Sequence, residues 1–209
     1  MRLQKTTLGF CGLLWIVSSA AAQERMPYIA KEHWTEAQKK AAAGLMESKR
    51  APTDVTGPFI IMLRSPELMD RAQRLGEFLR YGTSLPPRLS EMVILMTSRG
   101  WTQQYEWSAH APLGLKGGLK QDVITAIAEG RRPMGMAEDE AAAYDLCAEL
   151  DRNQSVSDAT YARAVKAFGE NGVVEIIGLK GYYTMLAMLM NTSRTQVPGG
   201  KPPLAAFPR

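Results

Sequence analysis

Apolar residues recur at helical spacing along most of the chain, and no run alternates with the period of two that marks a half-buried strand. The clearest pattern begins at Ser65-Pro66, which is typical of a helix start, and stops at Gly82, which is typical of a helix end. The helix predicted over 66–81 is expected to turn one apolar face toward the core. The residues that define this face are Leu68, Ala72, Leu75 and Leu79.

Further helices follow from the same reasoning, and an all-α fold with one domain of about seven helices is predicted. Residues 92–96 read MVILM, so the helix that begins at Pro86-Pro87 is expected to be central and buried. The short apolar run 59–63 could be either strand or helix. Besides 66–81, the predicted helices cover 34–49, 87–99, 105–113, 121–129, 137–152, 157–171 and 173–190, with ends at Pro112 or Gly114, at Gly130 and at Gly172.

A membrane span is one interpretation of residues 173–190, an apolar segment of eighteen residues. Glu175 and Lys180 would each cost about 2.5–3.5 kcal/mol near the centre of a bilayer. A core helix, or a helix at a subunit interface, is therefore the favoured interpretation. Residues 192–209 contain four prolines and a Gly-Gly pair, which predicts an irregular C-terminal tail.

Residues 1–22 have the three parts of a secretory signal peptide. The first part carries two positive charges, residues 8–17 are apolar, and Ala20 and Ala22 satisfy the A-x-A cleavage rule. Cleavage after Ala22 would leave a helical domain over 23–191 in the periplasm or outside the cell, with no membrane attachment. An uncleaved anchor is the less favoured alternative, because ten apolar residues are short for a span.

Composition excludes several classes of protein. With 45% hydrophobic and 22% charged residues, the chain is expected to fold around a core. The net charge of +4, or +2 after cleavage, comes without a basic run interleaved with aromatic residues, so nucleic acid is not an expected partner. Cys147 would be the one cysteine of the mature chain, and His33 and His110 are its only histidines. No disulfide framework or metal site is therefore expected.

Two carboxylates and one imidazole are the candidate catalytic groups. Glu106 and His110 are four residues apart, so their side chains share one face of a helix, where a carboxylate raises the pKa of an imidazole and orients it for acid/base work. Such pairs also occur by chance as surface ion pairs. Glu91 precedes the apolar run 92–96 and needs a partner if it is buried. Arg88 would be a structural partner, and a facing His110 would be a functional one.

These residues resemble the carboxymuconolactone decarboxylase family, whose superfamily includes alkylhydroperoxidase D. The resemblance is carried by residues 85–95 (LPPRLSEMVIL) and 105–110 (YEWSAH), with support at 57–58, 65–68, 174–175 and 181–183. It implies an all-helical fold that assembles into trimers or hexamers. In the peroxidase branch, a C-x-x-C-x-x-x-H motif follows a glutamate that precedes the histidine by nineteen residues. His110 and Glu91 match this histidine and glutamate, whereas Gln103 and Glu106 occupy the cysteine positions.

The resemblance therefore favours cofactor-free chemistry of the decarboxylase branch over thiol chemistry, which needs two sulfurs. His110 would move a proton, and Glu106 and Glu91 would orient or share it. A substrate that carries carboxylates also needs cations or hydrogen-bond donors around it. The candidates for substrate binding are Arg80, Arg88, Tyr105 and Tyr182, with Trp107 as a wall of the pocket or a subunit contact.

Three hypotheses for function remain at this point. The first is an exported lyase, decarboxylase or isomerase that acts on a small carboxylated lactone or aromatic-derived compound. The second is a non-catalytic helical oligomer that binds a small ligand, with His110 paired to Glu106 and sealed from any cavity. The third and least favoured is a peroxidase, for which Cys147 would be the only sulfur left.

Export is tested by the N-terminus of the mature protein. When the full-length chain is expressed with its own leader in a Gram-negative host, we expect the periplasmic protein to begin at Gln23. Intact-mass spectrometry measures the removal of residues 1–22. A cell-associated protein that keeps its leader would indicate the uncleaved anchor instead.

Overall fold

The computed structural model describes residues 24–200 and 202–206, and all regular structure in these residues is helical. The predicted all-α fold is confirmed. The ambiguous run 59–63 is helical, and the two helices predicted over 157–171 and 173–190 form one element, α8. The signal peptide lies outside the described residues. The elements are a 3₁₀ turn at Lys31–His33, α1 (Glu36–Met46), α2 (Pro58–Met62), α3 (Pro66–Tyr81), α4 (Pro87–Gly100), α5 (Gln104–Lys116), α6 (Gln121–Ala128), α7 (Glu138–Asn153) and α8 (Asp158–Ser193).

Helix α4 is the centre of the fold. It packs against α5, α6, α7 and α8, and every residue from Leu89 to Arg99 is buried. A helix that is apolar over its whole circumference is stable only when other helices surround it, as the sequence indicated. Its second turn carries Glu91 into this enclosed position, which places a carboxyl group inside the core.

Helix α3 differs from the prediction in which face it buries. Its buried residues are Met69, Ala72, Gln73, Gly76 and Leu79. Leu68 and Leu75 lie outside this face and are 43% and 48% exposed. Periodicity locates an apolar stripe, but the neighbouring helices decide which part of a wide stripe they cover.

Two predicted helix ends were wrong. Helix α5 continues through Pro112 and Gly114 to Lys116. A proline costs a helix one hydrogen bond, and the extensive packing of α5 against α4 offsets this cost. At Gly114 the missing side chain lets α5 approach Leu95 and Ile124, since a Cβ there would lie 3.3 and 3.5 Å from their methyl groups. In α8 the break falls at Gly169, with φ 66°, and not at Gly172.

Helix α8 is a core helix of the described structure. One helix of the described residues, α8, is long and apolar enough to cross a membrane by length and composition alone. It packs against α2, α3, α4 and α7, however, and both of its central charges have partners. Glu175 accepts hydrogen bonds from the Ser84 backbone N–H at 3.0 Å and from its hydroxyl at 2.7 Å. Lys180 lies 2.5 Å from Asp151 of α7.

Several large apolar residues of α3 and α8 are exposed, and we call this set the α3–α8 face. Gly76 packs against Tyr182 and Gly178 packs against Leu79, so the two helices lie side by side. Both helices also carry exposed apolar residues away from this contact. The α3–α8 face consists of Leu68, Leu75, Phe78, Val174, Ile177 and Met188, which are 43–68% exposed.

Candidate functional site

The centre of the candidate site is a buried hydrogen bond between two helices. His110 Nδ1 of α5 lies 2.6 Å from Glu91 Oε2 of α4, and each side chain is only 9% exposed. Glu91 Oε1 also accepts from Arg80 Nη2 of α3, at 3.4 Å. Glu91 therefore anchors three helices and orients the imidazole ring.

The charge state of His110 follows from its burial. Desolvation lowers the pKa of His110 below its ordinary value, and this effect outweighs the hydrogen bond to Glu91 that acts to raise it. The imidazole is therefore neutral at neutral pH, with its hydrogen on Nδ1 toward the carboxylate. Nε2 then keeps its lone pair, and His110 lines the cavity described below. A neutral imidazole held in this tautomer can act as a base.

Glu106 is a second buried carboxyl group, one helical turn before His110. The residue is 3% exposed, Ser98 Oγ donates to its Oε2 at 3.3 Å, and Oε1 has no partner. Burial raises the pKa of Glu106 to about 8, and the Ser98 hydroxyl opposes this only in part. Glu106 is therefore mainly a neutral acid at pH 7, able to donate a hydrogen bond. The direct pairing of Glu106 with His110 that the spacing suggested is not formed, since Glu91 takes that place.

A cavity of about 210 Å³ opens on both groups. Tyr183 of α8 meets His110 edge to face, with ring centroids 5.1 Å apart, and its hydroxyl is buried without a partner. Ligand pockets for drug-sized molecules measure about 300–1,000 Å³, so this cavity suits a smaller compound. The lining residues that matter for the chemistry are Arg50, Arg80, Tyr105, Glu106, His110 and Tyr183.

Helix α5 is held in place at its first turn by Gln103. The Gln103 side-chain oxygen accepts from the backbone N–H groups of Tyr105 at 2.6 Å and Glu106 at 3.1 Å, which caps the helix. Its amide nitrogen donates to Asn191 of α8 at 3.0 Å. The residue at one cysteine position of the peroxidase motif therefore has a structural role here and fixes the orientation of α5 against α8.

The other residues nominated from the sequence fall into two groups. Arg80 and Tyr105 line the cavity, and Tyr182 lies behind it, with its ring edge to face with Tyr183 at 5.4 Å. Arg88 and Trp107 lie elsewhere. Arg88 binds Asp139 and, at 3.1 Å, Glu140, and so joins α4 to α7. Trp107 lines a separate cavity of about 660 Å³, beside the tail residues 203–206.

Sequence reasoning missed three residues of the site. Arg50 lies in the loop after α1, Ser98 contacts Glu106 from α4, and Tyr183, rather than its neighbour Tyr182, meets His110. Helical periodicity offered one signal, because Tyr183 belongs to the buried face of α8. Nothing local marks Arg50, since a loop has no periodicity and its neighbours are distant in sequence.

Metal and thiol chemistry find little support at this site. Within residues 24–200 and 202–206, no group of three His, Cys, Asp or Glu side chains could hold a metal ion. Cys147 is fully buried in α7 and does not line the cavity. Desolvation raises the pKa of its thiol to about 12, so the reactive thiolate is not formed at neutral pH.

Fold and site thus define an all-helical protein with a buried carboxylate–imidazole pair that faces a small cavity. Residues 66–149, which contain both members of the pair, match the model of the carboxymuconolactone decarboxylase family. This match supports the resemblance to the carboxymuconolactone decarboxylase and AhpD-like superfamily over residues 66–149.

A solved structure agrees with the fold. The chain is similar to a protein of unknown function from Agrobacterium tumefaciens that was suggested to be an antioxidant defence protein, AhpD. The TM-score is 0.60 at 16% identity, over 68% of this chain and 99% of the other. At this identity the likeness concerns the fold alone. A comparison with curated proteins finds no significant match.

The raised pKa of Glu106 predicts a specific pH dependence of stability. The unfolded chain releases this proton above its ordinary pKa of 4.5, whereas the folded protein retains it up to about pH 8. The contribution of Glu106 to the free energy of unfolding should therefore fall as the pH rises from about 4.5 to about 8, by an amount on the order of a few kcal/mol. Urea unfolding between pH 4 and 9 measures this fall.

The matched control is Glu106→Gln, which mimics the neutral acid and cannot ionise. Below pH 4.5 the two proteins should be about equally stable, and above pH 8 the variant should be the more stable one. Parallel curves over the whole range would mean that Glu106 does not titrate abnormally.

Proposed function

We propose that this chain is an exported, cofactor-free acid/base enzyme, a lyase, decarboxylase or isomerase, for a small carboxylated lactone or aromatic-derived compound. The observation that carries the proposal is a base and an acid on one wall of one cavity. His110 is neutral and oriented by Glu91, and Glu106 is a neutral carboxylic acid. The surroundings thus make one group a base and the other an acid at the same pH. Such a pair of titratable groups is typical of acid/base catalysis.

The proposed chemistry is proton transfer next to a carbonyl group. His110 Nε2 takes a proton from the carbon beside the carbonyl, and Glu91 stabilises the imidazolium that forms. Glu106 donates a hydrogen bond to the carbonyl oxygen, on which negative charge develops. The imidazolium then returns the proton to another carbon of the conjugated system, which gives an isomer.

Decarboxylation would use the same groups in a different sequence of steps. The C–C bond to a carboxylate breaks, carbon dioxide leaves, and the electron pair of that bond passes into the carbonyl as an enolate. Glu106 stabilises the enolate oxygen with its hydrogen bond. Glu106, which is a neutral carboxylic acid, then gives its proton to the carbon and takes up another from solvent, so no oxidant or reductant is needed.

The alternative hypotheses receive less support. A non-catalytic binder predicts that His110 pairs with Glu106 away from any cavity, whereas His110 pairs with Glu91 and lines one. A peroxidase needs a reactive thiolate and a resolving sulfur. Gln103 caps a helix, Glu106 is a carboxylic acid, and Cys147 is buried with a raised pKa.

The catalytic proposal is tested first by binding and then by turnover. A thermal-shift screen of the mature protein against aromatic acids and lactones selects compounds that stabilise the native state. For a compound that is turned over, His110→Ala should lower kcat/KM by at least about a hundredfold, because the base is lost. The control is His33→Ala, which removes an exposed imidazole on the 3₁₀ turn and should keep full activity.

Circular dichroism must show that both variants fold. A folded His110→Ala protein with wild-type turnover of the selected compound would exclude His110 as the base. Binding without turnover of any selected compound would favour the ligand-binding alternative.

We further propose that the chain forms a homo-oligomer, a trimer or hexamer, through the α3–α8 face. Its six large apolar side chains are 43–68% exposed, and such patches are typical of protein interfaces. A charge at the centre of such an interface should prevent association. Leu75→Asp is therefore expected to reduce the mass measured by light scattering to that of a smaller species.

Met134→Asp is the control for this experiment, because Met134 is 81% exposed and lies outside the α3–α8 face. It should keep the wild-type mass. A monomeric wild-type protein, or a Leu75→Asp protein of unchanged mass, would contradict the proposed interface.

A further inference from the structure

Arg50 is a cation of the His110 cavity that no part of the reaction proposed above has used. It comes from the loop after α1 and lines the cavity together with Arg80. Its guanidinium carbon lies 5.4 Å from the centroid of the Phe59 ring, over its face. Its Nη2 lies 3.5 Å from the hydroxyl of Tyr182. These two contacts hold the guanidinium against the cavity wall without neutralising its charge.

Arg50 differs from Arg80 and Arg88 in its lack of a carboxylate partner. Arg80 is bound to Glu91, and Arg88 is bound to Asp139 and Glu140. Among the described residues no acidic side chain forms an ion pair with Arg50, and its Nε is buried with no hydrogen-bond partner. A half-buried charge without a counter-ion is costly unless a ligand completes the site.

The position of Arg50 depends on a missing side chain in α3. A Cβ on Gly76 would lie 2.2 Å from Arg50 Nη2 and 2.3 Å from the Tyr182 hydroxyl. Glycine in the middle of a helix costs about 1 kcal/mol relative to alanine. Gly76 therefore leaves the space that the guanidinium occupies, at the expense of helix stability.

We propose that Arg50 binds the carboxylate of the substrate in the His110 cavity, and that Gly76 provides the space which lets it do so. The inference rests on the proposed function for the identity of the site, but it concerns binding and not the reaction. Arginine offers two parallel N–H donors, which match the two oxygens of a carboxylate. With a volume of about 210 Å³ the cavity suits a carboxylate on a single small ring.

The binding of charge is tested with benzoate and its neutral analogue benzamide, which have the same ring and nearly the same shape. Isothermal titration calorimetry on the mature protein measures both dissociation constants. We expect the wild-type protein to prefer benzoate by about tenfold or more, as a charge-assisted hydrogen bond implies. Arg50→Gln should abolish this preference by weakening benzoate binding alone, and Arg50→Lys should restore part of it.

Gly76→Ala is the second variant, since it displaces the guanidinium and leaves its charge in the chain. It should also reduce the preference for benzoate. Arg74→Gln removes an exposed arginine of α3, the helix that contains Gly76, and should leave the preference for benzoate unchanged. Melting temperatures confirm that each variant folds.

The outcomes separate this inference from the proposed reaction. Equal affinity of the wild-type protein for benzoate and benzamide, or an Arg50→Gln protein that keeps the preference, overturns the role of Arg50. His110→Ala should keep the preference, because the carboxylate is bound by Arg50. A preference that depends on Arg50 in a protein without turnover would support the binding site and contradict the reaction. If the preference for benzoate were lost in His110→Ala but kept in Arg50→Gln, the imidazole would be the group that binds the carboxylate, and the inference would be overturned.

Discussion

The buried hydrogen bond between Glu91 and His110 is the interaction on which the site depends. It joins the central helix α4 to α5, and Arg80 extends it to α3. Removal of Glu91 would leave the buried imidazole without this hydrogen bond, and removal of His110 would leave Glu91 with Arg80 as its remaining partner. The same burial lowers the pKa of His110 and makes it neutral, which a surface pair of the same residues would not do.

Position 106 shows how one side chain changes the chemistry of a retained framework. In the peroxidase branch that the chain resembles, this position holds a cysteine. Here a glutamate is buried beside the same histidine, with a pKa of about 8 and one unpartnered oxygen. A thiol at this position would take part in thiol–disulfide exchange, whereas a neutral carboxylic acid donates a proton or a hydrogen bond. The proposed acid/base reaction follows from the glutamate at position 106 and from the glutamine at position 103, the other cysteine position of the motif.

Much of the fold could be predicted because helical periodicity and end signals are local properties of a sequence. The start of α3 at Pro66 and the buried character of α4 follow from residues within a few turns. The errors arose where distant contacts outweighed local signals. Packing against α4 carries α5 past Pro112, and the neighbours of α3 cover Met69 rather than Leu68.

By itself, the sequence determined the all-α class, the absence of paired thiols and the candidate roles of Glu91, Glu106 and His110. Only the tertiary structure decided which carboxyl group meets the imidazole of His110. Glu106 is four residues away in sequence and Glu91 is nineteen, and the packing of α4 against α5 brings Glu91 to the ring. It also decided the charge states, since desolvation depends on what surrounds a group in space. The place of Arg50 in the site is likewise set by contacts in space. A loop side chain has no sequence period, and its place is set by the space that Gly76 leaves in α3.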